Sequence, residues 1–219
     1  GVARMPITDW DKYKEDLRQR MGKDDRIMRD LTMVAKRDAK RVVFAEADNY
    51  KILRAAQIVK EEGIAVPILL GKKAKINKLI DDYALELEGV EIIDPVEEIE
   101  SERYQKFADH LYKKRQRRGL SRLDAEKMLL DRNYFGASLV EFGEADTLIS
   151  GMTKNYAKTI RPALHVIGAQ PGSKIAGMYM MLTEKGPVFF GDTTVNVDPC
   201  AEELVDITVL LDLSLIHIS

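Results

Sequence analysis

Short apolar runs alternate with helical stretches over much of the sequence, and this alternation limits the fold more than any other feature. The runs are a few residues long and mainly apolar, which is typical of strands covered on both faces. The predicted strands are Val42–Ala45, Ala65–Gly71, Val90–Asp94 and Ala145–Ser150. Alternating strands and helices imply parallel strands joined by crossover helices, so we predict an α/β fold with a parallel sheet in a three-layer domain.

The segment before the first predicted strand is charged and helical. Apolar residues recur at near-helical spacing after Thr8 and again from about Asp24 to Arg37. We interpret residues 1–40 as a helical linker and predict the first α/β domain over residues 41–151. Because the sequence opens on Gly1 rather than on methionine, we expect it to be part of a longer chain.

We predict the beginning of a second α/β domain over residues 152–211. Two extended segments, Ile175–Leu182 and Val188–Phe190, precede a helix that Pro199 is expected to open, since proline suits the first helical position. The sequence DLSLIHIS continues this helix poorly because its apolar residues alternate. We therefore expect residues 212–219 to be a non-native tail.

Composition excludes several classes of protein. The net charge of −2 shows no basic excess for nucleic acid, and no apolar run approaches the roughly 20 residues of a membrane span. The single cysteine, Cys200, excludes an internal disulfide and indicates a reducing compartment, so we expect a cytoplasmic protein. Its three histidines are too scattered to form a metal site with a cysteine, and we predict none.

The segment SGMTKNYAKTIRP follows the fourth predicted strand and carries the best candidates for ligand binding. In open α/β sheets, ligands bind beyond the carboxyl ends of the strands, where Ser150, Gly151 and Thr159 would lie. We expect Arg161 to lie there too, with Pro162 fixing the chain directly after it, and we predict a helical stretch beyond Arg161 to Ile167. His165 is interpreted as a hydrogen-bonded core residue rather than a base.

Two further groups of polar residues are candidates. Asp192 and Asn196 follow the last predicted strand, whereas Asp198, just before a proline, is expected to cap the next helix. Arg115 belongs to the basic run KKRQRRG at a predicted helix end. That run is either a solvated end that complements the helix dipole or a site for a phosphorylated ligand, and composition does not decide between them.

These segments resemble the phosphate acetyl/butyryl transferase family. The resemblance runs in order through RVVFAEADNYKILRAAQIVKEEGIAVPILLG, RQRRG, ADTLISG, TIRPALHVIG and FFGDTTVNVDPCAEEL. In addition, GVARMPITDWDKYKEDLRQRMG resembles the linker that joins the catalytic and transferase-like parts of large bacterial NADP-dependent malic enzymes. ILRAAQ, RNYF and DTTVN are also similar to that subfamily.

The resemblance implies a fold of the isocitrate/isopropylmalate dehydrogenase type, incomplete here, with acetyl-CoA as the ligand. By position, Arg115 matches an arginine implicated in CoA binding, and Arg161 matches the arginine of the T-x-R-P motif near the acyl and phosphate site. The family's catalytic Ser-Arg pair and aspartate are expected further along than this sequence extends, so we identify no catalytic residue. NADP and a divalent metal are expected only in the preceding malic enzyme region.

Three functions follow from this resemblance. The first is an acetyl-CoA-sensing regulatory region of a malic enzyme, which converts malate to pyruvate and CO2. The second is a phosphate acetyltransferase that moves an acetyl group between CoA and phosphate. The third is an oligomerisation module alone, and in each case we expect a homo-oligomer with no nucleic-acid or membrane partner.

Overall fold

The computed structural model describes residue 10 and residues 23–169, 174–183 and 186–218. Residues 35–169 form one compact unit, and the described residues among 1–34 and 170–219 form another. The helix that was predicted from Asp24 is confirmed as α1, Lys23–Arg37. The helix predicted after Thr8 lies outside the described residues, apart from Trp10.

The unit of residues 35–169 is built on four parallel strands in the order β3-β2-β1-β4. These strands are β1 Lys40–Phe44, β2 Ala65–Leu70, β3 Glu91–Ile93 and β4 Thr147–Ile149. The helices of this unit are α2 Tyr50–Glu61, α3 Lys73–Asp82, α4 Glu102–Arg115, α5 Arg122–Leu129, α6 Arg132–Glu141 and α7 Tyr156–Val166. The predicted parallel α/β sheet is therefore confirmed.

Two apolar cores cover the two faces of this sheet because successive strand residues point to opposite sides. One face, which includes Val43, packs against α4 to α7 through residues such as Phe107 and Phe135. The other face, which includes Phe44, packs against α2 and α3 through residues such as Leu53. The predicted three-layer arrangement follows from this alternation.

Helix α7 corrects the interpretation of the segment around Arg161. We expected a helix only beyond Arg161, but α7 runs from Tyr156 to Val166 with both Arg161 and Pro162 inside it. Pro162 has no N–H group, so the helix lacks one hydrogen bond to the preceding turn. The Pro162 side chain is buried. The helix belongs to the unit of residues 35–169, although the sequence assigned it to the second domain. The other domain limits stay predictions.

The second unit contains an antiparallel hairpin of β5, Met178–Thr183, and β6, Gly186–Gly191, in which Met180 pairs with Phe189. This hairpin confirms the two predicted extended segments. Helix α8 follows at Ala201–Ile218.

The predicted helix AEELVDITVLL is confirmed from Ala201, but the place given to Pro199 as its first residue and the predicted end are wrong. Cys200 is the capping residue, because its carbonyl accepts the Leu204 N–H at 3.0 Å, so Pro199 and Asp198 precede the helix. The helix also continues beyond Leu211, where the sequence predicted a break. Whether residues 212–219 are native stays a prediction.

Within the described parts of the chain, no helix combines the length and apolar character needed to cross a membrane. Nor do these residues contain a group of three or more His, Cys, Asp or Glu side chains placed to hold a metal ion.

Candidate functional site

The loop after β4 is anchored to the end of β1 by Glu46. This side chain is 1% exposed, and its carboxylate accepts the backbone N–H groups of Gly151, Met152 and Thr153 at 3.0, 2.7 and 2.8 Å. The Thr153 hydroxyl donates to the same carboxylate. Burial raises the pKa of Glu46, but these hydrogen bonds outweigh it and lower the pKa below its ordinary value. Glu46 is therefore charged at neutral pH and fully paired.

The first turn of α6 holds the same loop from a second side. Asp131 caps α6 by accepting the Asn133 N–H at 2.8 Å, and its other oxygen accepts from Lys154 Nζ at 2.7 Å. Ser150 Oγ donates to Asn133 Oδ1 at 2.9 Å. The backbone and the side chains of the loop are thus both fixed by groups from distant segments.

A cleft of about 610 Å³ opens between this loop, α6 and the start of α7. Its lining residues are Asp131, Tyr134, Thr153, Lys154, Asn155, Lys158, Arg161 and Pro162. Three of these carry a positive charge, and the amino-terminal end of α7 adds the positive end of a helix dipole. A cleft of this composition can bind phosphate or carboxylate groups.

Arg161 lines this cleft, whereas Arg115 is not among its lining residues, but both arginines lie near enough to His165 to affect its charge. The His165 Nδ1 atom lies 2.8 Å from the Tyr134 hydroxyl. Burial lowers the pKa of His165, and the positive charges of Arg115, Arg161 and Arg118 lower it further. The neutral imidazole can therefore accept a hydrogen bond from the Tyr134 hydroxyl. This confirms that His165 is hydrogen-bonded, although it is half-buried rather than part of the core.

The carboxyl-terminal end of α7 is fixed by Lys114, from the basic run at the end of α4. Its Nζ donates to the carbonyl groups of Val166 and Ile167, each at 2.6 Å. A cation at this position also complements the negative end of the helix dipole. Lys114 thus has a structural role, whereas Arg117 and Arg118 are exposed on the short 3-10 helix Gln116–Arg118.

The other predicted residues of the sheet unit lie beside β4 rather than in the basic cleft. Ser150 and Thr159 line an apolar groove of about 300 Å³ between β4 and α7. Gly151 approaches the Thr159 side chain and has a φ of 120°, which a side chain would strain. Thr159 Oγ1 donates to the Asn155 carbonyl at 3.1 Å.

Asp192 and Asn196 form a local network in the second unit. The Asp192 carboxylate accepts the N–H groups of Val195 and Asn196 at 3.1 and 3.0 Å, and the Asn196 side-chain amide as well. Burial raises the pKa of Asp192, but these hydrogen bonds bring it below its ordinary value. The Asp192 backbone has a φ of 46°, a conformation that aspartate tolerates better than most residues. The two residues shape the loop after β6.

The sequence interpretation missed Glu46, Tyr134, Lys154 and Lys158. Residues Lys158, Arg161 and His165 recur at helical spacing, and this pattern would have revealed the basic face of α7 once the segment was recognised as a helix. Nothing in the sequence around Glu46 distinguishes it from a solvated acid.

Known proteins resemble this chain in both sequence and structure. A phosphate acetyltransferase of Helicobacter pylori is 38% identical over 180 residues, which cover 82% of this chain and 34% of that protein. An NADP-dependent malic enzyme of Haemophilus influenzae is 34% identical over 212 residues, which cover 96% of this chain and 28% of that protein. This chain thus spans about a third of the length of these relatives.

A solved structure, the EutD phosphotransacetylase from Staphylococcus aureus, superposes with a TM-score of 0.73 and 29% sequence identity. The superposition covers 83% of this chain and 56% of that one. The sequence model of the phosphate acetyl/butaryl transferase family matches residues 26–211, which is most of the chain. The chain therefore belongs to the phosphate acetyl/butaryl transferase family.

Proposed function

We propose that this chain is the phosphotransacetylase-like region of a malic enzyme and that it senses acetyl-CoA through the basic cleft. Acetyl-CoA carries several phosphate groups, and guanidinium groups bind such oxygens in pairs. Arg115 and Arg161 would contact the phosphate or acyl end of the ligand. NADP, the divalent metal and the malate chemistry would belong to the preceding region of the parent protein.

The absence of carboxylate partners for these two arginines carries the proposal. In the same unit, the side chains of Arg41, Arg103 and Arg132 each form a salt bridge with an acid. Within the described residues, neither Arg115 nor Arg161 has a carboxylate at salt-bridge distance. The exposed Arg117 and Arg118 also have none there, but Arg115 differs from them in being half-buried. A bound anion would supply the missing negative charge.

The extent of the matches supports the malic enzyme subtype. A match that covers 96% of the chain necessarily includes most of residues 1–22, the segment interpreted as part of the linker. A match that covers 82% need not include it. Homo-oligomerisation stays a prediction, which light scattering on the purified chain would check.

Acetyl-CoA titration by calorimetry tests the proposed ligand. Each of the variants Arg115→Ala and Arg161→Ala should weaken binding about tenfold or more, the loss expected for a charge-assisted hydrogen bond. Arg117→Ala is the matched control, because it removes an equal charge from an exposed position in the same basic run. Equal affinity in Arg161→Ala and Arg117→Ala would contradict the role of Arg161.

The second candidate is a phosphate acetyltransferase, and the 38% identity to the Helicobacter pylori enzyme supports it. In that reaction a phosphate oxygen attacks the acetyl carbonyl, the C–S bond breaks, and CoA leaves as the thiol. Incubation of the chain with acetyl-CoA and phosphate, followed by a thiol assay, separates the two functions. Steady release of thiol that depends on phosphate would favour the transferase, whereas binding without turnover would favour the sensor.

A further inference from the structure

We propose that Glu46 is a positioning residue for the basic cleft. It fixes the backbone at Thr153 and thereby holds Lys154 where its ammonium group can contact a phosphate of the ligand. The inference rests on the proposed function, because it takes the ligand of the cleft to be an anion.

Three consecutive N–H groups, those of Gly151, Met152 and Thr153, converge on the Glu46 carboxylate. Successive backbone N–H groups that point to one centre form a concavity that binds anions. Here the buried carboxylate of the chain itself fills that concavity. A ligand phosphate therefore cannot use these N–H groups and must be bound by side chains of the cleft.

Lys154 lines the cleft and directly follows Thr153, the last residue of this anchor. Thr153 contributes to the cleft wall and donates to Glu46 through both its backbone N–H and its hydroxyl. The Lys154 ammonium also donates to Asp131 at 2.7 Å, which uses one of its three protons. Its position therefore depends on Glu46 at the backbone and on Asp131 at the tip, and two donors remain for a ligand.

Glu46→Gln is a nearly isosteric perturbation of this anchor. The amide NH2 group cannot accept a hydrogen bond, so whichever way it is oriented at least one N–H of the loop loses its acceptor. The Thr153 hydroxyl can turn to accept from the amide, but the Thr153 N–H cannot. We expect faster hydrogen exchange at the backbone amides of residues 151–153 in this variant.

A double-mutant cycle distinguishes positioning from a general loss of structure. Acetyl-CoA affinity is measured by calorimetry for Glu46→Gln, Lys154→Met and the double variant, with Glu62→Gln and Lys51→Met as exposed controls of equal charge change. Each single variant should weaken binding about fivefold to tenfold, as expected for one ionic hydrogen bond. Glu46→Gln should add nothing in the Lys154→Met background, because it acts through that lysine.

The outcomes are separable. If the unmodified chain does not bind acetyl-CoA, the proposed function fails and this inference fails with it. If the unmodified chain binds but the two losses multiply in the double variant, or Lys154→Met has no effect, only the inference is overturned. Should Glu46→Gln fail to fold, Thr153→Val removes only the hydroxyl donor and replaces it in the same cycle.

Discussion

Substitution of Gly136 by alanine tests how closely α6 lies against the sheet, and α6 supplies Asp131 and Tyr134 to the cleft. A Cβ atom at position 136 would lie 2.7 Å from Leu148 Cδ1 and 3.2 Å from Leu70 Cδ1. Contacts this short require a neighbour to move. Leu70 is fully buried, so the half-buried Leu148 on the edge strand β4 must yield.

The expected change in stability is the difference between two opposing effects. Alanine gains about 1 kcal/mol over glycine in helix propensity, while overpacking a dense core costs about 1–3 kcal/mol. Gly136→Ala should therefore lower the free energy of unfolding by about 1 kcal/mol, which urea denaturation would detect as a lower midpoint. The double variant Gly136→Ala/Leu148→Ala should be more stable than the two single losses predict, because it removes the clashing methyl groups. A Gly136→Ala variant more stable than the parent would refute the close approach.

Four further predictions concern charge. Lys114→Met should lower the free energy of unfolding by about 1–2 kcal/mol in urea, because the end of α7 loses an ionic donor, and an unchanged value would contradict that role. Arg161→Gln should raise the pKa of His165 in an NMR titration, since it removes one opposing positive charge. His165 binds a proton less readily in the folded chain than in the unfolded chain, so the free energy of unfolding should fall as the pH drops below about 6.5. His165→Gln should lessen that fall. The pKa of Glu46 is lowered in the folded chain, so the ionised carboxylate should stabilise the fold fully above about pH 4.3. This stabilisation should be lost as the pH falls further. The acid unfolding profile of Glu46→Gln should lack it.

The parallel sheet could be predicted from the sequence because both of its faces are covered. A strand such as Lys40–Phe44 is then apolar over consecutive residues where it is covered, here from Val42 to Phe44. A short run of this kind between helical segments has few other structural explanations. The start of α8 was harder to predict from the sequence, because proline is common at the first helical position but does not have to occupy it. Helix α8 instead begins after Cys200.

Glu46 could not be identified from the sequence because its partners are distant. The three N–H groups that it accepts lie 105 to 107 residues further along the chain. Only the pairing of β1 with β4 brings the two segments together, and here Phe44 aligns with Ile149. The role of such a residue becomes evident only once the topology is known, because the residues next to it in the sequence do not indicate its partners.

The assignment of α7 as a helix also changes which predicted residues can share a ligand. The sequence interpretation placed Thr159 and Arg161 together beyond the carboxyl ends of the strands, with a helix only after Arg161. In a helix, residues two apart face different sides, whereas residues three and four apart share a face. Thr159 accordingly lines the groove beside β4, and Arg161 shares the cleft with Lys158 and a face of the helix with His165. Because the helix was predicted to start too late, two sites that α7 separates were treated as one. Substitutions at Thr159 and Arg161 should therefore have independent effects on ligand binding.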